Sequence, residues 1–244
     1  MEKSLVIIPT YNEKENIADI VRAVFALGHG FHILIIDDNS PDGTGQIVSD
    51  LQAKFGDLQL MIRKTKSGLG SAYLDGFKYA LEKKYDYVFE MDADFSHPPE
   101  DLIKLHDECQ NNGFDMAIGS RYISGVNVVN WPIGRVLMSF FASKYVQLIT
   151  GLPVQDATAG FKCYRAKVLR TLELDKIRFV GYGFQIEMKF LAWKYGFKIK
   201  EVPIIFTDRT KGTSKMSAGI FSEALLGVVY LKVYSLFRKY HAHS

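Results

Sequence analysis

Two aspartates one residue apart, Asp92 and Asp94, follow the run YVFEM at Tyr87 to Met91. In an extended chain, residues two apart point the same way, so both carboxylates would leave a strand end on one side. Hard divalent cations take oxygen ligands, commonly one or two carboxylates completed by substrate phosphates. The pair therefore suits Mg²⁺ or Mn²⁺ bridged to a diphosphate, whose negative charge the cation neutralises as the diphosphate leaves. A plain loop with capping carboxylates is the competing reading. Position favours the metal, because two other apolar runs also end in polar residues: PTYNE at Pro9 to Glu13 and DDNS at Asp37 to Ser40.

The second of these, Asp37-Asp38, offers one carboxylate for a turn and one for a ribose or a base edge, as acidic residues do at the same place in dinucleotide folds. The first, PTYNEKEN, lacks the glycine pattern of either common phosphate loop. A Rossmann dehydrogenase and a P-loop enzyme are thereby excluded.

Such groups need a scaffold that brings several strand ends together. Apolar runs at Leu5–Pro9, His32–Asp37, Leu58–Ile62, Tyr87–Met91 and Asp115–Gly119 alternate with helix-period segments. The first helix is expected to start at Asn12, with Glu15 completing a capping box. Pro98 to Gln110 reads as a later helix opened by proline. This alternation predicts an α/β protein with a doubly wound, mostly parallel sheet and helices on both faces. Ligands of such sheets bind beyond the carboxyl ends of the strands. The second half is less regular, with strands expected near Gly160–Tyr164 and Lys198–Phe206 and a helix near Phe184–Tyr195.

A net charge of +3 over 244 residues gives no nucleic-acid footprint. Cys109 and Cys163 have no metal-ligand or disulfide spacing and read as buried apolar residues. The first residues lack a secretory pattern.

The motifs VIIPTYNEKENI, ILIIDDNSPDGT, KSGLGSAYLDGF, MDADFSHPPEDL, GSRY, QDATAGFKCYR and DRTKGTSK occur in that order. Together they resemble the inverting GT-A glycosyltransferases of family 2, from Leu5 to about Lys215. The resemblance is strongest to the branch that mannosylates dolichyl or polyprenyl phosphate. It implies transfer of mannose from GDP-mannose to a polyprenyl phosphate, with inversion and release of GDP. UDP-glucose as donor, or a saccharide as acceptor, is the alternative. By position it implies nucleoside contacts from Pro9, Tyr11, Glu13 and Asp38, and metal and diphosphate contacts from Asp92 and Asp94. Ser96 stands where the family often has Gln, as a shorter ligand or water-holder. Arg121, Arg209 and Lys215 would bind phosphates, with Arg135 a further candidate for the acceptor phosphate; Arg suits bidentate phosphate contacts and Lys a point charge.

Asp156, in QDATAGF, sits where inverting relatives often carry a general base. A phosphate acceptor is already ionised at neutral pH, its second pKa being about 6. Asp156 is therefore expected to orient a cation rather than take a proton. His97 is expected to pack at the helix entry.

Residues 1–215 form the expected catalytic domain and 216–244 an amphipathic, membrane-interacting helix. Trp131 to Thr150 carries a polar stripe, Arg135, Ser139, Ser143 and Gln147, beside apolar residues. It reads as an interfacial helix with Arg135 facing the site. Ser217 to Phe237 is long enough to span, but Glu223 and Lys232 interrupt it. A single span would also part the Arg238-Lys239 tail from a domain that needs cytosolic sugar nucleotide, against the positive-inside rule. Peripheral attachment to the cytoplasmic side of a membrane is the expectation.

Overall fold

The computed structural model describes residues 2–209, 211 and 219–240. Strand β1 (Ser4–Thr10) leads to α1 (Ile17–Ala26), β2 (Phe31–Asp37), α2 (Thr44–Gln52), β3 (Leu58–Ile62), α3 (Leu69–Glu82), β4 (Tyr87–Glu90), α4 (Asp101–Gln110) and β5 (Met116–Ser120). There follow the two-residue β6 (Val128–Val129), then α5 (Ile133–Thr150), β7 (Lys162–Arg165), α6 (Ala166–Thr171), α7 (Tyr182–Lys194), β8 (Ile199–Pro203), β9 (Phe206–Thr207) and α8 (Gly219–Phe237).

Seven strands make one sheet in the order β3-β2-β1-β4-β7-β5-β8. All pairings are parallel except those of β7, which runs antiparallel between β4 and β5. Strand periodicity explains why the runs are apolar throughout. Leu5, Ile7, Leu34 and Ile36 point into one core, with α3 and α7 (Tyr73, Phe77, Phe184, Phe190). Val6, Ile8, Ile33 and Ile35 point into the other, with α1, α2 and α4 (Ile20, Val48, Leu105). Both faces are covered, and each such side chain contributes about 1.5–3 kcal/mol on burial. Gly76 lets α3 lie close on the sheet, since a Cβ there would meet Ile7 at 2.8 Å.

Two local expectations are corrected. Helix α1 begins at Ile17 with Asn16 as its N-cap, so the Asn12–Glu15 capping box does not form. Asn12 instead adopts a left-handed conformation (φ 55°). The Glu13 carbonyl accepts from the backbone N–H of Asn16 and Ile17, closing the entry turn. Pro98 and Pro99 precede α4 rather than open it, and the helix starts at Asp101. The antiparallel direction of β7 was not foreseen, and it matters most for the site. It places the segment before β7, residues 155–161, at the edge where β1, β2, β4 and β5 end.

Candidate functional site

One cavity of about 570 Å³ opens at that edge. Pro9, Tyr11, Glu13, Asp38, Asp92, Asp94, Ser96, Arg121, Arg135 and Arg209 all line it. Residues that follow β1, β2, β4, β5 and β9 thus meet Arg135 of α5 in one cavity, where the sequence predicts three strand ends, those of β1, β2 and β4. Asp156 does not line the cavity; it lies just behind it, fully buried. Lys215 lies outside the described residues.

Asp92 and Asp94 are not an extension of β4. The strand ends at Glu90, and the acidic pair sits in a bend that continues to Ser96. Phe95 is left-handed at φ 60° and 38% exposed. A bulky residue there costs about 1–3 kcal/mol, strain of the kind found where function dictates backbone direction. It lets the chain double back, so that the Ser96 N–H donates to Asp94 Oδ1 at 3.1 Å.

The two carboxylates respond differently to this crowding. Burial and the neighbouring Asp94 push Asp92 up to about 7. Burial would also raise Asp94, but hydrogen bonding from Ser96 and the Arg209 guanidinium hold it below the usual range. Arg209 Nη2 lies 2.9 Å from Asp94 Oδ2. Ser96 Oγ is buried and makes no hydrogen bond of good geometry among the described residues, though it lies near enough to Asp94 to help hold that carboxyl down. Two acidic groups and an orphaned hydroxyl fit a hard divalent cation, which would relieve the repulsion that loads Asp92. Among the described residues no cluster of three or more His, Cys, Asp or Glu side chains comes together. A cation here would thus need oxygens from water or substrate phosphate, which is the usual state of Mg²⁺.

His97 is sandwiched by aromatic rings: stacked on Phe161 at 4.9 Å and edge-on to Phe206 at 5.2 Å. Burial pushes its pKa down to about 4, so the ring is neutral at pH 7. Packing accounts for its place, with Nδ1 3.8 Å from Asp92.

Asp37 and Asp38 turn to different partners. Asp37 takes hydrogen bonds from Thr10 Oγ1, from the Ser40 N–H and from Ser40 Oγ, which fixes the turn. Asp38 faces the cavity and is held by Arg63, whose Nε reaches Oδ1 at 2.5 Å. Arg63 also contacts Ser71, Asp75 and the Gly68 carbonyl. It therefore ties Asp38 to the 64–68 loop and to α3. From that loop Lys66 reaches over the Tyr11 ring at 4.3 Å and lines the cavity. Sequence reasoning missed both cations. The signal available was their place in RKTKSGLG, directly after a third strand that ends beside the other two.

Arg121 carries the most elaborate support. Asp156 accepts from its backbone N–H at 2.9 Å, from Nε at 2.7 Å and from Nη2 at 2.6 Å. Thr158 Oγ1 accepts from Nη2 at 2.8 Å. The rings of Tyr122, Trp131 and Phe206 surround the guanidinium at 5.3–5.6 Å. Burial alone would raise Asp156, but Arg121 holds it below the ordinary carboxylate range. A fully buried carboxylate that accepts three hydrogen bonds from Arg121 is placed to fix that guanidinium, and both its oxygens are engaged. The pairing of β6 with β9 brings Asp208 to Arg135, at 3.0 Å, and stacks Arg135 on Trp131, at 4.0 Å.

Beyond the arginines the cavity turns apolar. Met138, Ala142 and Val146 of α5, Ile186 of α7, and Leu225 and Val228 of α8 wall that part. Outside it, α5 exposes Ile133, Leu137, Phe141 and Leu148, and α8 exposes Leu226, Val233, Leu236 and Phe237. Helix α8 buries Val228 and Leu231 in the core, yet its outer side is apolar as well. No helix among the described residues is long and apolar enough to cross a membrane.

A mostly parallel sheet with acidic and basic side chains gathered at its strand ends is the architecture of the GT-A fold. The chain belongs to glycosyl transferase family 2, whose profile matches residues 5–173, and it is a glycosyltransferase. It is 45% identical over 228 residues to the polyprenol monophosphomannose synthase of Mycolicibacterium smegmatis, covering 93% of this chain and 86% of the relative. It is 43% identical over 224 residues to the undecaprenyl-phosphate mannosyltransferase of Micrococcus luteus, covering 92% and 91%. In fold it is similar to glucosyl-3-phosphoglycerate synthase of Mycobacterium tuberculosis, at TM-score 0.70 and 14% identity, covering 95% of this chain and 80% of that one. It is similar also to a mannosyltransferase of Pyrobaculum calidifontis solved with GDP-mannose and Mn²⁺, at TM-score 0.58 and 15% identity, covering 96% and 71%.

Proposed function

We propose that the chain transfers mannose from GDP-mannose to a polyprenyl phosphate with inversion, giving polyprenyl-phosphate-mannose and GDP. The observation that carries this reading is the continuity of one cavity. Its carboxylates and three arginines pass directly into an apolar slot between α5, α7 and α8. A phosphate joined to a hydrocarbon chain matches that order of surfaces, and a saccharide acceptor does not. The names of the two mannosyltransferase relatives support the acceptor class and the sugar.

The nucleoside would lie among Pro9, Tyr11, Glu13 and Asp38, with Lys66 at its edge. Asp92, Asp94 and Ser96 would hold Mg²⁺ or Mn²⁺, which neutralises the departing diphosphate when bound. Arg209 would exchange its pairing with Asp94 for a phosphate, and Lys215 would add a point charge. Arg121 and Arg135 would hold the acceptor phosphate. One of its oxygens attacks the anomeric carbon from the face opposite the diphosphate, so the C–O bond to GDP breaks and the centre inverts. The acceptor arrives largely ionised near pH 7, with a second pKa of about 6, so no side chain has to take its proton.

The exposed apolar sides of α5 and α8 would rest on the cytoplasmic leaflet that holds the acceptor, without a span. In this reading residues 1–215 carry catalysis and 216–244 add the membrane contact. Exposed apolar area of this extent on a folded chain marks an interaction surface. Leu137→Glu/Phe141→Glu should lower partitioning onto phospholipid vesicles by about tenfold or more, because each side chain loses about 1.5–3 kcal/mol of burial. Turnover of a short, detergent-dispersed polyprenyl phosphate should change little. Unchanged vesicle sedimentation would remove α5 from the membrane contact.

The function itself is tested by incubating the enzyme with labelled GDP-mannose or UDP-glucose, polyprenyl phosphate, and Mg²⁺ or Mn²⁺. A labelled, mild-acid-sensitive lipid from GDP-mannose is the expected product. Labelling from UDP-glucose alone, or only of an added saccharide, would overturn the assignment.

A further inference from the structure

The 155–160 segment is gripped from two sides by opposite charges. On one side, Glu201 of β8 accepts from the backbone N–H of Gln155 at 2.7 Å and of Asp156 at 2.9 Å. On the other, Lys189 of α7, which has no exposed surface, donates to the carbonyls of Ala157 at 2.9 Å and Ala159 at 2.6 Å. Its third donor reaches the Gln185 carbonyl at 3.1 Å, one turn back on its own helix. Burial pulls the Lys189 pKa well below the usual lysine value, yet Nζ faces three carbonyls and no donor, an arrangement that uses all three hydrogens of an ammonium. A Met at this place would fill the same space and leave two loop carbonyls without partners.

The gripped segment is the one that holds Arg121. Asp156 and Thr158 are its polar partners, and they alternate along the chain with the two carbonyls that Lys189 binds. Lys189 touches no cavity surface itself, whereas Thr158, Ala159 and Gly160 do. A buried lysine placed only for packing would have no reason to spend two donors on one loop. Gln185 links the same region to the acidic bend: its Nε2 donates to Glu90 Oε2 at 2.8 Å, two residues before Asp92. Lys162 completes that layer, 2.9 Å from Glu90 Oε1.

We propose that Lys189 is a positioning residue for sugar transfer, setting the Arg121 guanidinium through the backbone of residues 157–159, with Glu201 as the opposing jaw. Arg121 bound to the acceptor phosphate is part of the proposed function, and this inference rests on it. Misplacing a reacting group by about 1 Å can cost about a hundredfold in rate. The arginine side chain is fixed only as well as the loop that carries its partners.

The test is a double-mutant cycle on the full chain with GDP-mannose, polyprenyl phosphate and Mg²⁺. Lys189→Met should lower kcat/KM for polyprenyl phosphate by about a hundredfold. Affinity for GDP, measured by calorimetry, should stay within about threefold, because the hydrogen bonds of Lys189 go to Ala157, Ala159 and Gln185 and to none of Pro9, Tyr11, Glu13 or Asp38, and sites without shared partners scarcely couple. In an Arg121→Ala background, Lys189→Met should add less than about threefold, since its effect passes through the missing guanidinium. Glu201→Gln, at a partly exposed strand position, supplies the same cycle should Lys189→Met not fold. Equal losses in both backgrounds would overturn the inference, as would full activity in the single variants. Failure of the unaltered enzyme to mannosylate polyprenyl phosphate would instead refute the proposed function, a distinct outcome.

Discussion

Asp92→Ala will lower mannosyl transfer by about a thousandfold or more, since metal compensation of a departing diphosphate is worth several kcal/mol and each 1.36 kcal/mol is a factor of ten. The same substitution will not destabilise the metal-free chain. Asp92 is crowded by burial and by Asp94, which together push it up to about 7. A carboxylate so placed adds nothing to the fold at neutral pH, the cost being softened because its side chain is 39% exposed, and it becomes useful when its charge is balanced. Deleting it should leave the melting temperature in chelator unchanged or higher. Addition of Mn²⁺ with GDP should raise the melting temperature of the unaltered enzyme and not that of Asp92→Ala. Ligand-linked stabilisation at a hundred times the dissociation constant is about 2.7 kcal/mol, which thermal shift resolves easily. Full transfer activity in Asp92→Ala would remove the metal from the reaction. A large fall in metal-free stability would mean that Asp92 is a structural residue.

The part of the site that follows β1, β2 and β4 was legible in the sequence because each piece is local. A short, continuous apolar run, buried on both faces, announces a parallel strand, and the polar residues after it must emerge at one edge. The long helices were legible for the same reason. What the sequence hid was non-local or reversed. Strand β7 is only four residues long, and nothing in KCYR says whether it runs with or against its neighbours. Its direction decides that Asp156 comes before its strand and not after it. Asp92 and Asp94 were expected to share a side by strand alternation, yet they converge through a bend with Phe95 left-handed. A Phe gives no local hint of positive φ, as Gly or Asn would.

Charges whose partners lie far away in sequence were equally opaque. Arg63 and Lys189 look like ordinary solvated cations in isolation. Arg63 becomes a site residue only because β3 lies beside β2, where Asp38 waits. Lys189 becomes one because α7 packs under residues 157–159. The periodicity of α5 shows the reverse case. Its polar stripe does place Arg135 and Ser139 on the cavity, as a local pattern should. Ser143, the next member, is fully buried, so the stripe leads from the site into the protein.

Asp156→Asn will lower activity and stability together while leaving the shape of the pH–rate profile intact. The carboxylate has no exposed surface and accepts three hydrogen bonds from Arg121, one of them from its backbone. Asn keeps the shape but cannot match two guanidinium donors, and it leaves a buried cation uncompensated. Breaking such a pair costs about 3–5 kcal/mol. The sign of the pH dependence follows from the folded pKa. Arg121 holds Asp156 below its unfolded value, which is about 3.9. Its contribution to stability is therefore fully present above that value, and it is lost as pH falls through the lower, folded one. The unaltered enzyme should lose stability in acid more steeply than Asp156→Asn, and the two curves should approach each other at low pH. On the rate side, a general base would give the unaltered enzyme an acidic limb that the Asn variant lacks. An orienting carboxylate that stays ionised throughout the working range gives no such limb. Profiles of kcat from pH 5.5 to 8.5, which report the substrate-bound enzyme and span the acceptor's second pKa of about 6, should thus run parallel, displaced by a constant factor. By contrast, kcat/KM reports the free enzyme, in which Asp156 titrates below this interval. A limb that vanishes with the carboxylate would make Asp156 the base after all, and would require the Arg121 pair to open before each turnover.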